Sequence, residues 1–373
     1  MKKPATLSSF ARQAIIVKAP DTELGPVDSG RNFGTKAVLR HTWLLLGLLV
    51  LGASSCSDSP PDPIIPTPLT DTVSHDTTKT DTVVAVDTVT QVDTIPDSLV
   101  FAVIGDYGDA GEPARQVSEL VKSWNPEFII TLGDNNYEQG DLSTIQRNIA
   151  QYYCDFIYNP DAPEEYQCEG SAAADKTNHF FPSIGNHDAY SSTSYQPYLS
   201  FFTLPGEETY YDFVRGSVHF FVVNSSDGDS SRCCDTKQAV WLKQGLAHST
   251  SFFNIVYFHH PPYSSSEHGS TAEMQWPFEE WGASAVLTGH DHVYERITRK
   301  DSPDFPYIVN GLSGRQGIYP CNERPLDEAV FDSFCYNENY GAIKAILAGN
   351  HLTFQFYTID QPSRLIDEVT LVH

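Results

Sequence analysis

Basic side chains are scarce. The 373 residues carry 23 Lys and Arg against 48 Asp and Glu, a formal net charge of −25. Such a balance excludes nucleic acid or an anionic membrane surface held by charge, because either must meet a basic face that displaces counterions. An anionic substrate would have to be held locally, and a metal cluster could supply the missing positive charge. Cysteine is sparse too, at seven, and no pair has the C-x2-C spacing of a zinc site. No apolar run approaches the ~20 residues that cross a bilayer as a helix. The segment WLLLGLLVLGA, Trp43 to Ala53, stops at eleven, and Ser57 to Pro96 has no aromatic residue. What is present suffices for a core: 40% of residues are hydrophobic, 12% aromatic and 19% charged. We expect one folded domain of about 275 residues, spanning residues 98–373.

The N-terminal part reads differently. Lys2, Lys3, Arg12, Lys18, Arg31, Lys36 and Arg40 precede the short apolar run, which ends in ASSC at Cys56. A basic leader, an apolar stretch and small residues make residues 1–55 a signal peptide. The ending resembles the lipobox of bacterial lipoproteins, which implies acylation of Cys56 and an exported, membrane-anchored lipoprotein, periplasmic or on the cell surface. Ordinary secretion with Cys56 free is the alternative. From 56 to 97 the chain is rich in Pro, Thr and Asp, with DTV or DTI recurring at Asp71, Asp81, Asp87 and Asp93. With so little apolar surface to offset ordering entropy, it reads as a disordered tether. A short β-rich repeat packing on the domain is the rival. Cys154/Cys168 and Cys321/Cys335 each enclose a loop-like stretch, which favours local disulfides in an oxidising compartment over free cytosolic thiols. The pairing of Cys233 and Cys234 stays open.

In the domain, apolar runs end repeatedly in polar clusters. SLVFAVIGD, EFIITLGD, HFFPSIGNHD, VHFFVVNSS, FFNIVYFHH and AVLTGHDH have the pattern of buried strands. Helical patterns lie between them at Pro113–Trp124, Ser143–Phe156, Lys237–His248 and Ala272–Trp281. The alternation predicts an α/β fold with a largely parallel central sheet and ligands bound at the carboxyl ends of its strands. The tail YGAIKAILAGNHLTFQFYTID predicts a hairpin turning at Gly349-Asn350, followed by the strand LIDEVTLV.

Five strand ends carry the chemistry: G-D-Y-G-D from Gly105, G-D-N-N-Y from Gly133, G-N-H-D from Gly185, V-Y-F-H-H from Val256 and G-H-D-H from Gly289. One Asp or His after a strand is ordinarily a turn former or helix cap. Together the five put Asp, Asn, Tyr and several His, all metal-ligand types, on one edge of one predicted sheet. The set resembles the calcineurin-like metallophosphoesterases, and more narrowly the purple acid phosphatases, including the tartrate-resistant type. The resemblance implies a four-layer αββα sandwich with its metal site at the carboxyl ends of the central strands. It implies one metal on Asp106, Asp134, Tyr137 and His292, and another on Asp134, Asn186, His259 and His290. In most of the wider superfamily a His stands two positions after the first Asp, where this chain has Gly108; Tyr137 is where the purple enzymes supply a phenolate instead. A phenolate suits Fe(III), and the second set suits Fe(II), Zn or Mn. Such a pair of ions would support in-line attack of metal-bound hydroxide on a phosphate monoester of a small molecule or phosphoprotein. His187 would act on the phosphate or leaving group, and His268, nine positions after His259, would contact substrate.

Other neighbours have plainer expectations. Asp109 and Asp188 read as loop or cap residues, His260 as packing or solvent-facing, and Asp291 as turned away from the site. Glu295 and Arg296 read as a structural ion pair. The same centre also serves phosphodiesterases and nucleotide-cleaving hydrolases. A non-catalytic surface lipoprotein keeping its metals is the reading outside enzymes.

Overall fold

The computed structural model of the chain describes residues 98–227 and 233–373. The expected signal peptide over 1–55 and the lipidated Cys56 with its tether to 97 lie outside the described residues. Among the described residues no helix is long and apolar enough to cross a membrane.

Two sheets form the centre, where strand and helix alternation predicts one. The first contains β1 (Leu99–Ile104), β2 (Phe128–Thr131) and β3 (Phe180–Pro182), all parallel. The second begins with the hairpin β4 (Tyr211–Arg215) and β5 (Val218–Val222), then β6 (Phe253–Tyr257) and β7 (Ala285–Thr288). It is completed by β8 (Tyr294–Arg299), β9 (Ser302–Asn310) and β10 (Phe331–Tyr336). The tail returns to the first sheet as β11 (Gly341–Ala348), β12 (His351–Thr358) and β13 (Leu365–Val372). The orders are β13-β12-β11-β1-β2-β3 and β10-β8-β9-β7-β6-β5-β4. Each sheet thus has a parallel part, β1-β2-β3 in one and β5-β6-β7-β9 in the other, flanked by antiparallel strands.

Side-chain alternation builds the layers. Phe101 and Val103 of β1 point between the sheets, with Phe220 of β5 and Ile255 of β6, whereas Ala102 and Ile104 face outward. Phe101 stacks on Phe128 at 4.9 Å and meets the edge of Phe220 at 5.3 Å across the seam. Each fully buried aromatic of this kind contributes about 1.5–3 kcal/mol by burial. The outward face of the first sheet is covered by the helix Glu112–Ser123, through Val117 and Val121, and by Ile145 and Ile149. The helix Lys237–His248 covers the second sheet through Ala239, Leu242 and Leu246. Helix, sheet, sheet and helix give the four-layer αββα sandwich that the resemblance implies.

Two predicted helices differ. Leu142–Tyr153 is helical, but its middle, Gln146–Ala150, is wound to the wider i→i+5 spacing. Ala272–Trp281 is one short turn, Ala272–Met274, because Pro277 disfavours a helical Trp276. Met274, Trp276, Phe278 and Trp281 instead pack under the second sheet as successive turns. The expected Glu295–Arg296 pair does not form either. Adjacent strand residues point to opposite faces, so buried Glu295 accepts the Ser265 amide at 2.9 Å while Arg296 pairs with Asp367. Disulfides join Cys154 to Cys168 and Cys321 to Cys335, as expected, and Cys233 is joined to Cys234.

Candidate metal centre

The carboxyl ends of the two parallel parts face the same end of the sandwich. Asp106, Asp134 and Asn186 follow β1, β2 and β3; His259, His290 and His292 follow β6 and β7. The five motifs therefore meet across the seam, three from one sheet and two from the other, instead of along one sheet edge. Asp106, Asp134 and His290 have φ of 54°, 51° and 72°, in the left-handed region that non-glycine residues rarely adopt. Three such residues in one cluster are backbone strain concentrated at a functional site. Glycines make the close approach possible. A Cβ on Gly133 would stand 2.6 Å from Nδ1 of His259, and one on Gly185 would stand 2.2 Å from Oδ1 of Asp134.

Tyr137 is buried with its phenolic oxygen 3.0 Å from Oδ1 of Asp106, 2.9 Å from Oδ2 of Asp134 and 3.5 Å from Nε2 of His292. One phenol proton cannot serve two carboxylates. His292 adds no second proton when neutral, because its Nδ1–H donates to the carbonyl of Gly317 at 2.8 Å, leaving a lone pair on Nε2. Burial and both carboxylates push the Tyr137 phenol well above its ordinary range.

The second cluster is similar. Nδ1 of His259 donates to the carbonyl of Leu132 at 2.8 Å, so Nε2 faces Oδ1 of Asn186 at 2.9 Å, Nδ1 of His290 at 3.1 Å and Oδ2 of Asp134 at 3.4 Å. Asn186 is oriented by its Nδ2, which donates to Tyr190 Oη at 2.9 Å. Acceptors thus converge in a dry site with too few protons between them. Burial acts to lower His259, but Asp134, then Asp106, outweighs it and raises the ring to about 9. The same field favours any cation at that point. Ions with bonds of about 2.0–2.1 Å hold neighbouring ligands about 2.9 Å apart at right angles and about 3.4 Å apart at tetrahedral angles, the range spanned by the 2.9 Å to Tyr137 and the 3.4 Å to His259 on the two sides of Asp134 Oδ2. The donor set fits two metal ions.

His187 and His268 sit at the rim. The His187 amide donates to Oδ1 of Asp134 at 2.8 Å, and its Nδ1–H donates to the Glu138 carbonyl at 2.7 Å. Its Nε2 then points inward, 4.0 Å from Oδ2 of Asp134. The exposed ring of His268 stacks on His290 with centroids 4.2 Å apart.

Sequence reasoning undervalued several residues. Asp188 is no loop cap: it is 2% exposed and accepts from the amides of Gly185 and Asn135 and from Asn135 Nδ2. Burial and Asp134 raise it to about 7. Its position three after Gly185, inside the G-N-H-D motif, was the available signal. Arg315 places its guanidinium 4.6 Å over the Tyr137 ring, pairs with Glu138 and, at 2.8 Å, with Asp109, and donates its amide to the Asp106 carbonyl. Asp109 therefore works as an anchor, too. Tyr319 stacks on His292 at 4.2 Å. His260 lies closer in than expected, with a ring nitrogen within 4.8 Å of those of His259 and His290, while Ser225 Oγ holds its Nδ1 at 2.9 Å.

Comparison with known proteins agrees with this geometry. A family model described as calcineurin-like phosphoesterase matches residues 99–294. The chain is 26% identical over 233 residues to purple acid phosphatase 23 of Arabidopsis thaliana, covering 56% of this chain and 49% of that protein. It is 24% identical over 250 residues to tartrate-resistant acid phosphatase type 5 of Oryctolagus cuniculus, covering 57% and 72%. The match thus spans about half the length of the plant relative. Among solved structures, purple acid phosphatase PPD1 from yellow lupin, Lupinus luteus, shares the fold with a TM-score of 0.59 at 16% identity, over 74% of this chain and 54% of that one.

Proposed function

The chain belongs to the calcineurin-like phosphoesterase family, and from that premise we propose that it is a metal-dependent phosphoric ester hydrolase acting on monoesters. Asp106, Asp134, Tyr137 and His292 would hold one ion; Asp134, Asn186, His259 and His290 would hold the other, with Asp134 shared. The observation that carries this reading is the convergence on Asp134 Oδ2 of Tyr137 Oη at 2.9 Å and His259 Nε2 at 3.4 Å, one from each sheet. The phenol favours Fe(III) on its side, and the carboxamide with two imidazoles favours Fe(II), Zn or Mn on the other. When bound, such a pair supplies a water of near-neutral pKa and a clamp on phosphoryl oxygens.

The chain's own side chains do the rest. Asp106, Asp134 and His259 are at most 2% exposed, so water is kept from the ligand atoms and their charges act at full strength. His187, whose Nδ1–H is held by the Glu138 carbonyl, has Nε2 free to face the ester, where in its protonated, imidazolium form it would donate to a phosphate oxygen or give its Nε2 proton to the leaving alkoxide, becoming neutral. His268 lies beside the second cluster to contact the ester.

The substrate would be a phosphorylated small molecule or phosphoprotein. An exported lipoprotein anchored at Cys56, periplasmic or cell-surface, accords with the disulfides, which persist in oxidising compartments. Hydrolysis of p-nitrophenyl phosphate by the metal-loaded protein, its loss in Asp134→Ala, and a panel of monoesters against diesters test the reading. No turnover by the loaded wild type would make it a binding protein, and faster diester cleavage would make it a phosphodiesterase.

A further inference from the structure

Asp291 lies between His290 and His292, yet its carboxylate turns to a different segment. It is 0% exposed, and a carboxylate so buried must be met by donors. Three arrive from residues 264–269. Ser264 Oγ donates to Oδ2 at 2.6 Å, the Gly269 amide to Oδ2 at 3.1 Å, and the His268 amide to Oδ1 at 2.8 Å. A second buried carboxylate, Glu295, accepts the Ser265 amide, and Ser264 Oγ also accepts the Ser266 amide at 3.2 Å. The S-S-S-E-H-G segment is thus wrapped around two acidic groups, Asp291 in the turn that carries His290 and His292 and Glu295 on β8 just after it. His268 itself is exposed, and its ring is fixed by the parallel face of His290 at 4.2 Å and the edge of Tyr319 at 5.3 Å.

We propose that Asp291 is the positioning residue for His268, joining the metal-holding turn to the substrate-contacting segment. His290 and His292 fix the backbone on either side of Asp291, so the carboxylate between them is located by the metal cluster. Charge-assisted hydrogen bonds then carry that location to the backbone of His268. Asparagine has nearly the same shape, but one of its two terminal atoms donates and would face an amide N–H. The catalytic part of this inference rests on the hydrolase reading; the backbone linkage does not.

Two measurements separate them. In the full chain loaded with zinc, hydrogen exchange of the peptide covering residues 264–270 should be slow in the wild type and at least about tenfold faster in Asp291→Asn, with metal content unchanged. Turnover of p-nitrophenyl phosphate should fall by about 10–100-fold in Asp291→Asn, by a similar factor in His268→Ala, and no further in the double variant, because both changes remove one action. Ser264→Ala, which deletes a single donor, should show a smaller loss that also vanishes in the His268→Ala background. It provides the same test if Asp291→Asn does not fold. Additive losses, wild-type turnover in Asp291→Asn, unchanged exchange, or metal loss would each overturn the proposal. Altered exchange in a protein that cleaves no ester would overturn the hydrolase reading and leave the linkage standing.

Discussion

The phenolic oxygen of Tyr137 lies 2.9 Å from Oδ2 of Asp134, three residues earlier in the chain. The same carboxylate oxygen is 3.4 Å from Nε2 of His259 on the other sheet. One atom therefore borders both clusters, and the consequences of removing either residue should differ in kind.

Tyr137→Phe removes one donor atom from one cluster. Loaded with iron and oxidised, the wild type should show a visible phenolate-to-Fe(III) absorption band, and the variant should lack it while keeping divalent metal, more weakly, and part of its activity. A colourless wild type would favour Zn or Mn.

Asp134→Ala removes the shared group. Metal analysis after desalting should find both ions depleted, and turnover should fall by about 10³-fold or more. Retention of one full equivalent would show that the clusters bind independently.

For His187→Ala, turnover should drop by ~10² with metal content intact. The ring's Nδ1 is held by the Glu138 carbonyl and its amide by Asp134, so only the side chain's action is lost. Depleted metal would instead assign the ring to holding Asn186.

Gly133→Ala should be among the most damaging small substitutions. Its φ of 90° is unfavourable to any side chain, and the new methyl would meet the His259 ring at 2.6 Å. We expect a loss of ~3 kcal/mol or more in denaturant unfolding, with weakened metal binding. Wild-type stability would mean that His259 can retreat freely.

The disulfides Cys154–Cys168 and Cys321–Cys335 each close a separation of 14 residues, worth about 3 kcal/mol in the chain-entropy model. Replacing either pair by serine should lower Tm by roughly 5–10 °C. Calorimetry at fixed metal concentration measures this, and an unchanged Tm would show that the loops are ordered without their bridges.

The strands and their polar ends were legible because burial on both faces writes unbroken apolar runs, and a site at strand ends must interrupt them with ligands. The division into two sheets was not, since parallel strands of either sheet carry the same pattern. Ala272–Trp281 misled because its apolar spacing suits a helix while Pro277 forbids one. Arg315 and Tyr319 escaped notice because they act through ring faces and, for Arg315, through a pairing with Asp109 that spans 206 positions, and the Gly317 carbonyl that orients His292 has no signature in any side chain. Asp291 faces away from the ligand cluster, as alternation between His290 and His292 predicts, but periodicity does not say what lies on the other side.

The turn at Gly349-Asn350 lies beyond Leu347, which pairs with Leu99 at the amino end of β1, whereas Asp106 follows the opposite end of that strand. The sandwich therefore has a chemical pole and a quiet pole. A peptide epitope or fluorescent reporter spliced between Gly349 and Asn350 would ride on the quiet one, so the protein could be labelled or immobilised there with the ligand cluster at the other end left unobstructed.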